Sequence, residues 1–389
     1  MSHRRQAAHR FGVLLVAALA FSIAQAQQNH SSLTTQPVIN TVRASRGIDT
    51  SSLNRDGEAG VTVPNWTSSF VDNGQTYTFT MLGTNPSLGS STTTLTAILI
   101  PVKFTFSNGV VLDPTAPVYG QSKSVIQLTQ ASPLFQAVPF APGGTKVGTT
   151  QYIDAFQRAN FWNLVSTSAP NYHVLFNPVV APVQSLKVPA YFGYTQPGPG
   201  SPVGYVNSAW LDGELGVMLF KLKNKTNTIP IFIVYNTLGV ESNGLTFGGY
   251  HTAFGNPAQV YAEAGFYDQV LFPTTGDIMT LSHEMAELTD DPFVSNIVPP
   301  WNNPETPGQC SNLLEAGDPV NGVPITPITL NGYTYHPEDL TFLPWFSGTV
   351  PSTSVNGWYT FGNYYNSPGS CPANINTSGA HKSSSGSGQ

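Results

Sequence analysis

Residues 277–292 read DIMTLSHEMAELTDDP, a stretch that combines apolar and acidic residues at helical spacing. Wound as a helix at about 100° per residue, it places His283, Glu287 and Asp290 within about 60° of one another. Apolar residues take much of the remaining circumference, and Pro292 would end the helix because proline has no backbone N–H to donate. The stretch therefore predicts a helix with one acidic wall that carries a single imidazole. Such a wall is either a metal site or an ordinary solvated face.

The helix contains a His-Glu-x-x-Glu motif, formed by His283, Glu284 and Glu287. Side chains four residues apart on a helix project side by side, so His283 and Glu287 can bind one metal ion. Glu284 points about 100° away, where it can take a proton from the water that the metal activates. This is the arrangement of an HExxH metallopeptidase helix in which glutamate replaces the second histidine.

A third metal ligand must come from another part of the chain. Glu315 and Asp318, which lie 28 and 31 residues beyond Glu287, are the first candidates. His251, on a predicted strand before the helix, is another candidate, either as a ligand or as a group that stabilises an oxyanion. Each residue also has a structural interpretation: Glu315 and Asp318 as turn residues, His251 as a packed histidine, and Asp291 as a turn cap.

The order of predicted strands at 229–235, 246–254 and 260–266, followed by the His-Glu helix, resembles the core of zincin-type metallopeptidases. More narrowly, SHEMAELTDDP followed by LLEAGDP is similar to the HELAE…T(D/N)P and ExxD elements of the exordium-like, phosphate-induced family and its bacterial relatives. The resemblance covers residues 248–319, within a motif core at 229–319. It implies a zincin-like active-site helix packed on a mixed sheet, zinc as the cofactor and a peptide substrate. The second family adds secretion and an association with cell-wall material.

The composition favours a β-rich protein with many turns. Charged residues make up 9% of the chain, whereas glycine and proline contribute 36 and 32 residues. Asn-Gly favours tight hairpins because both residues tolerate positive φ. It begins at positions 73, 108, 243, 321, 331 and 356. We therefore predict an α+β fold in which one large β-rich domain spans residues 61–371.

Further elements follow from the spacing of apolar residues. Helical spacing predicts helices at 124–136 and 152–165, the second with Arg158 outward, whereas 207–222 suits a helix or a strand. Strand-like composition is found at 75–81, 92–106 and 172–194.

Positive charge is missing around the His-Glu helix. No Lys or Arg occurs between residues 226 and 381, whereas 13 of the 21 acidic residues lie there. Burying carboxylates without a counter-charge is costly, so either these residues lie in water or some of them neutralise a bound cation. The net charge of −6 argues against nucleic acid as a partner.

The two ends of the chain are predicted to lie outside the domain. Residues 1–26 have the charged start, apolar run and Ala-Gln-Ala cleavage site of a signal peptide, with a retained anchor as the alternative. Residues 27–60 predict a flexible arm or propeptide, and 372–389 a disordered tail. Export to the extracellular space or the periplasm would join Cys310 and Cys371 in a disulfide, with two free thiols as the alternative. We expect a monomer that does not associate with membranes after cleavage.

The leading functional hypothesis is a secreted zinc metallopeptidase. Zinc would be held by His283, Glu287 and one of Glu315 or Asp318, with Glu284 as the proton acceptor. A second hypothesis is a non-catalytic cell-wall or matrix protein whose acidic cluster binds Ca²⁺ for stability. A third is a glycosidase that uses two of the carboxylates.

Overall fold

The computed structural model describes residues 63–222, 226–255, 258–306 and 308–372. All of these residues belong to one compact unit. The predicted signal peptide, the predicted arm and all but the first residue of the predicted tail lie outside them.

The described residues form nineteen strands and six α-helices. The strands are β1 (Asn65–Asp72), β2 (Gln75–Leu82), β3 (Thr92–Phe106), β4 (Val111–Leu112), β5 (Val138–Phe140), β6 (Gly148–Thr150), β7 (His173–Val180), β8 (Gln184–Val188), β9 (Gly193–Gln196), β10 (Val203–Asn207), β11 (Thr228–Tyr235), β12 (Thr237–Val240), β13 (Thr246–Phe247), β14 (Gly249–Phe254), β15 (Gln259–Phe266), β16 (Ile297–Asn302), β17 (Cys310–Leu313), β18 (Ile328–Leu330) and β19 (Tyr333–Tyr335). The helices are α1 (Val125–Gln130), α2 (Tyr152–Asn160), α3 (Trp162–Val165), α4 (Ser208–Leu222), α5 (Met279–Asp290) and α6 (Leu343–Phe346).

A seven-stranded mixed sheet is the centre of the fold. Its order is β14-β15-β11-β3-β4, and β7 and β8 also pair with β3. The strands β3, β7, β8, β11 and β15 are parallel where they pair, whereas β4 and β14 are antiparallel to their neighbours. The predicted α+β class and the predicted mixed sheet are both confirmed.

The sheet is covered on both faces, which explains its continuous apolar strands. Along β11, Ile231 and Ile233 join one buried cluster, whereas Phe232 and Val234 join the other. The first cluster contains Leu281, Met285 and Leu288 of α5, and the second contains Leu211, Leu215 and Leu219 of α4. Parallel strands buried on both faces have no polar side to alternate with, so β11 and β15 read as nearly unbroken apolar runs.

Four Asn-Gly pairs lie in turns between antiparallel strands. They follow β1, β3, β12 and β18, and the pairs at 73 and 331 have positive φ at both residues.

The predicted disulfide is also confirmed, since Cys310 is bonded to Cys371. Within the described residues, we find no helix that combines the length and apolarity needed to cross a membrane.

Two predicted helices are shorter than expected. The one at 124–136 is only α1, which starts at a capping box between Ser124 and Gln127 and ends at Gln130. Pro133 follows closely, and proline disfavours helical backbone at the residue before it. The helix predicted at 152–165 is interrupted at Phe161, which separates α2 from α3.

The outward position predicted for Arg158 is wrong. The residue is 9% exposed, and its guanidinium donates to the carbonyl oxygens of Val147 and Tyr172 at 2.6 and 2.7 Å. Because backbone carbonyl oxygens accept these hydrogen bonds, the charged side chain can be buried.

Boundaries also differ around the central sheet. The ambiguous stretch 207–222 is α4, the single strand predicted at 246–254 is divided into β13 and β14, and 172–194 is divided into β7, β8 and the start of β9. The strands β13 and β14 belong to different sheets. The His-Glu helix predicted at 277–289 is present as α5.

Candidate metal centre

The acidic wall of α5 is not a solvated face. All twelve residues of the helix are buried, including His283, Glu284 and Glu287. The helix packs against β15 and β14 on one side, and the chain after β17 lies over its charged side chains. A charged group in such a place needs a partner, because burying an unpaired charge is very costly.

Three side chains converge at the centre of this region. His283 Nε2 lies 3.0 Å from Glu287 Oε1 and 3.5 Å from Asp318 Oδ1. Ligand atoms about 2.0–2.2 Å from a tetrahedral zinc are about 3.3–3.6 Å from one another. The 3.5 Å separation falls in this range, and the 3.0 Å separation would have to widen by about 0.3 Å to fit an ion. His283 Nε2 and Asp318 Oδ1 are buried and have no hydrogen-bond partner. The donors and their unsatisfied atoms therefore fit a divalent metal.

Glu338 fixes the orientation of the His283 imidazole. Its Oε2 is hydrogen-bonded to His283 Nδ1, and its Oε1 accepts from the backbone N–H of Gly322. The backbone N–H of Glu338 donates to Ser282 Oγ at 2.9 Å. A histidine that ligates a metal usually donates its other N–H in this way, which leaves the remaining nitrogen free to bind.

Gly317 allows the loop after β17 to approach the helix. A Cβ at this position would lie 2.3 Å from Nδ1 of His283 and 2.5 Å from two carbons of the ring. The backbone N–H groups of Gly317 and Asp318 donate to Glu287 Oε1 at 3.1 and 3.2 Å. The absence of a side chain at 317 thus brings Asp318 next to the imidazole.

His251 lies beside the same glutamates, on β14. Its Nδ1 is 3.5 Å from Glu284 Oε2 and 3.5 Å from Glu287 Oε2. Its Nε2 is hydrogen-bonded to the carbonyl oxygen of Asp291 at 3.1 Å and lies 3.7 Å from Glu315 Oε2. Two groups of three thus have a geometry that can hold a metal ion, one containing His251, Glu284 and Glu287, the other containing His283, Glu287 and Asp318.

The strand β14 reaches the helix through another glycine. A Cβ on Gly249 would lie 2.7 Å from Thr280 Cγ2 and 3.0 Å from Glu284 Oε1. Only a residue without a side chain fits this contact without displacing a neighbour. The close approach of β14 is what carries His251 to the glutamates.

The histidines and carboxyl groups of the cluster shift one another's pKa values. Burial lowers the pKa of His283 and of His251, but neighbouring carboxylates outweigh this effect and raise both. Burial opposes ionisation of Glu287, yet the two histidines hold its pKa below the ordinary range. Burial raises the pKa of Glu284 to about 7, and burial together with Glu287 raises that of Asp318 to about 7.

These pKa shifts mean that protons on the histidines and on some carboxyl groups offset the negative charge of the cluster. Within the described residues, no Lys or Arg forms a salt bridge with its carboxylates; their charged partners are His251 and His283. A cation that entered would therefore compete with protons for the same atoms.

The remaining candidate residues have different positions. Glu315 lies on the Nε2 side of His251 and outside both groups of three. Asp290 belongs to neither group, and its carboxylate accepts a hydrogen bond from Gln157 on α2. Asp291 accepts from the backbone N–H of Ser295 at 2.9 Å, which is the turn-capping role expected for it.

Glu338 and Gly317 were not predicted as site residues. Glu338 is 55 residues from His283 and has no helical or strand spacing that links the two. The one sequence signal was its place among the acidic residues of the span without Lys or Arg. Gly317 lies in the quoted LLEAGDP element, but the pattern does not show what the glycine contacts.

Comparisons with protein-family models, with curated proteins and with solved structures found no match for this chain. The resemblance to zincins and to the exordium-like family therefore stays a prediction.

Proposed function

We propose that this protein is a secreted metal-dependent hydrolase, with zinc as the metal and peptides as the substrate class. One observation carries the proposal: His283 Nε2 and Asp318 Oδ1 are buried without a hydrogen-bond partner, and they form with Glu287 a group that can hold a metal ion. Three donors of one protein site, with a fourth position left open, are typical of a catalytic zinc centre. The peptide substrate and the secretion rest on the sequence resemblance and the predicted signal peptide.

Each residue has a distinct task in this proposal. His283, Glu287 and Asp318 would hold the ion, and Glu338 would keep the imidazole in the binding tautomer. A zinc ion bound there would supply a Lewis acid that makes water a stronger nucleophile. Glu284 would accept and pass on a proton, for which a pKa near neutrality is suitable. His251 lies 3.5 Å from Glu284 and would orient that carboxylate.

The test combines metal analysis with a hydrolysis assay on the purified full chain. We expect at least one zinc per chain and cleavage of a mixed peptide library. Glu284→Gln should retain zinc at the His283 group and lose activity by about 10²–10⁴-fold. The control is Asp339→Asn. The buried carboxylate of Asp339 accepts hydrogen bonds from the backbone N–H groups of Leu340 and Gly362 and from the Thr360 hydroxyl. A wild-type chain without metal, or full activity in Glu284→Gln, would reject the proposal.

A structural metal site is the second candidate function. It is supported by burial, since His283, Glu287 and Asp318 are at most 2% exposed. In this case the ion stabilises a cell-wall or matrix protein; Ca²⁺ is the alternative metal, although an imidazole ligand argues against it. Chelation would then lower the melting temperature, the metal would restore it, and no peptide would be cleaved. Cleavage that depends on Glu284 would exclude a purely structural role.

The glycosidase hypothesis receives less support. Such enzymes place two carboxyl groups on either side of a glycosidic bond in an accessible cleft. The cluster's carboxylates are instead buried around two histidines. This arrangement therefore does not favour a glycosidase.

A further inference from the structure

Glu287 directs its two carboxylate oxygens at two different histidines. Oε1 lies 3.0 Å from His283 Nε2, whereas Oε2 lies 3.5 Å from His251 Nδ1. Glu287 is accordingly the one residue shared by both groups of three that can hold a metal. A carboxylate whose two oxygens face different groups of ligands can bridge two ions.

The His251 group has the same design as the His283 group. His251 Nε2 is engaged by the carbonyl oxygen of Asp291, as His283 Nδ1 is engaged by Glu338. In each imidazole the opposite nitrogen faces two carboxylates. The separations of 3.5 Å from His251 Nδ1 to Glu284 and to Glu287 also match the about 3.3–3.6 Å expected between zinc ligands.

Both halves contain buried polar atoms without a hydrogen-bond partner. In the first half they are His283 Nε2 and Asp318 Oδ1. In the second half it is Glu284 Oε1, on a side chain that is 1% exposed. Buried polar atoms are nearly always satisfied in native proteins, so each half has an atom that a bound partner would satisfy.

Charge also favours two cations over one. The cluster contains five carboxylates, namely those of Glu284, Glu287, Glu315, Asp318 and Glu338. With all five ionised and both imidazoles neutral, as metal binding requires, their formal charge of −5 falls to −3 with one divalent ion and to −1 with two. Because a buried net charge is costly, the second ion removes most of what the first leaves.

We propose that the cluster holds two divalent cations bridged by Glu287. His283 and Asp318 complete the first site, and His251 and Glu284 Oε2 complete the second, which leaves Glu284 Oε1 for the proton transfer described above. The inference deepens the proposed function and rests on it, because the first site is the hydrolytic centre described above. Two ions about 3.5–4 Å apart can act together on the attacking and the leaving atom of a displacement.

Zinc stoichiometry tests this directly. The purified full chain is stripped with a chelator, reloaded with Zn²⁺, desalted and analysed by mass spectrometry for zinc per chain. We expect two ions in the wild type, one in Asp318→Asn and one in His251→Gln. Asp339→Asn, the matched buried carboxylate outside both groups, should keep two. Circular dichroism melting of every variant checks that it is folded, so that a loss of zinc is not caused by unfolding.

The outcomes separate this inference from the proposed function. A single zinc in the folded wild type overturns the second site and leaves the hydrolytic centre intact; a protonated His251 then takes the place of the second ion. No zinc in the wild type overturns both proposals. Two zinc ions retained by folded His251→Gln also overturn the inference, because the second ion would then lie elsewhere.

Discussion

Replacing Gly317 with alanine should displace the His283 imidazole. The residue has φ −88° and ψ −37°, a conformation that alanine adopts readily, so the backbone is not strained by the change. The added Cβ would lie 2.3–2.5 Å from three atoms of the ring, where ordinary contacts are 3.4–4 Å. The ring or the loop must therefore move by about 1 Å, although Glu338 holds the ring from the side of Nδ1.

The displacement should have two measurable effects. Overpacking a tightly filled interior costs about 1–3 kcal/mol of unfolding free energy. Misorienting a ligating imidazole weakens metal affinity by about 10–100-fold, as loss of an outer partner does. The first effect is measured by urea unfolding of the chelated protein, and the second by zinc titration against a competing chelator.

A second glycine provides the matched control. Gly213 lies within α4, and a Cβ there has no atom within 4 Å. Gly213→Ala should leave zinc affinity unchanged and stabilise the protein by about 0.5–1 kcal/mol, because alanine is the better helix former. If Gly317→Ala matched this control in both assays, the close contact between the loop and the imidazole would not control the site.

Three further predictions concern other contacts. Glu338→Gln replaces the carboxylate on the imidazole with a weaker acceptor, and zinc affinity should fall by about 10-fold or more; unchanged affinity in the same titration would contradict this role. Replacing Cys310 and Cys371 with serine opens a loop with a sequence separation of 61 and should cost about 4 kcal/mol in urea unfolding, whereas a loss below about 1 kcal/mol would contradict it. The hydrogen bond to Asp277 raises the pKa of His336, so its stabilisation is complete below about pH 6.5 and is lost as pH rises through the folded value. His336→Gln should flatten this part of the stability–pH curve of the chelated protein, and an unchanged slope would refute the assignment.

The sequence predicted the central elements because their signals are local. The apolar runs of β11 and β15 and the His-Glu spacing of α5 each depend on residues close together in the chain. The pairing of His283 with Glu287 was also predicted, together with one of Glu315 or Asp318; the structure groups Asp318 with them and leaves Glu315 outside.

Other features depend on contacts between distant segments, which the pattern does not carry. The hydrogen bond from His283 to Glu338 joins residues 55 positions apart, and Arg158 is inside because carbonyl oxygens of other elements accept from it. Helix ends were also misplaced: Pro133 lies just beyond α1 and disfavours helical backbone before it, and α2 and α3 are separated at Phe161, whose φ of −100° and ψ of 34° are not helical.

Anomalous scattering at the zinc absorption edge, from crystals of the zinc-loaded full chain, tests the central claim most directly. We predict an anomalous peak about 2.0–2.2 Å from His283 Nε2, Glu287 Oε1 and Asp318 Oδ1. The second-site proposal adds a peak on the other side of Glu287, near His251 Nδ1. An ordered cluster with no peak at His283 would contradict the claim and leave histidine protons as the counter-charge of the buried carboxylates.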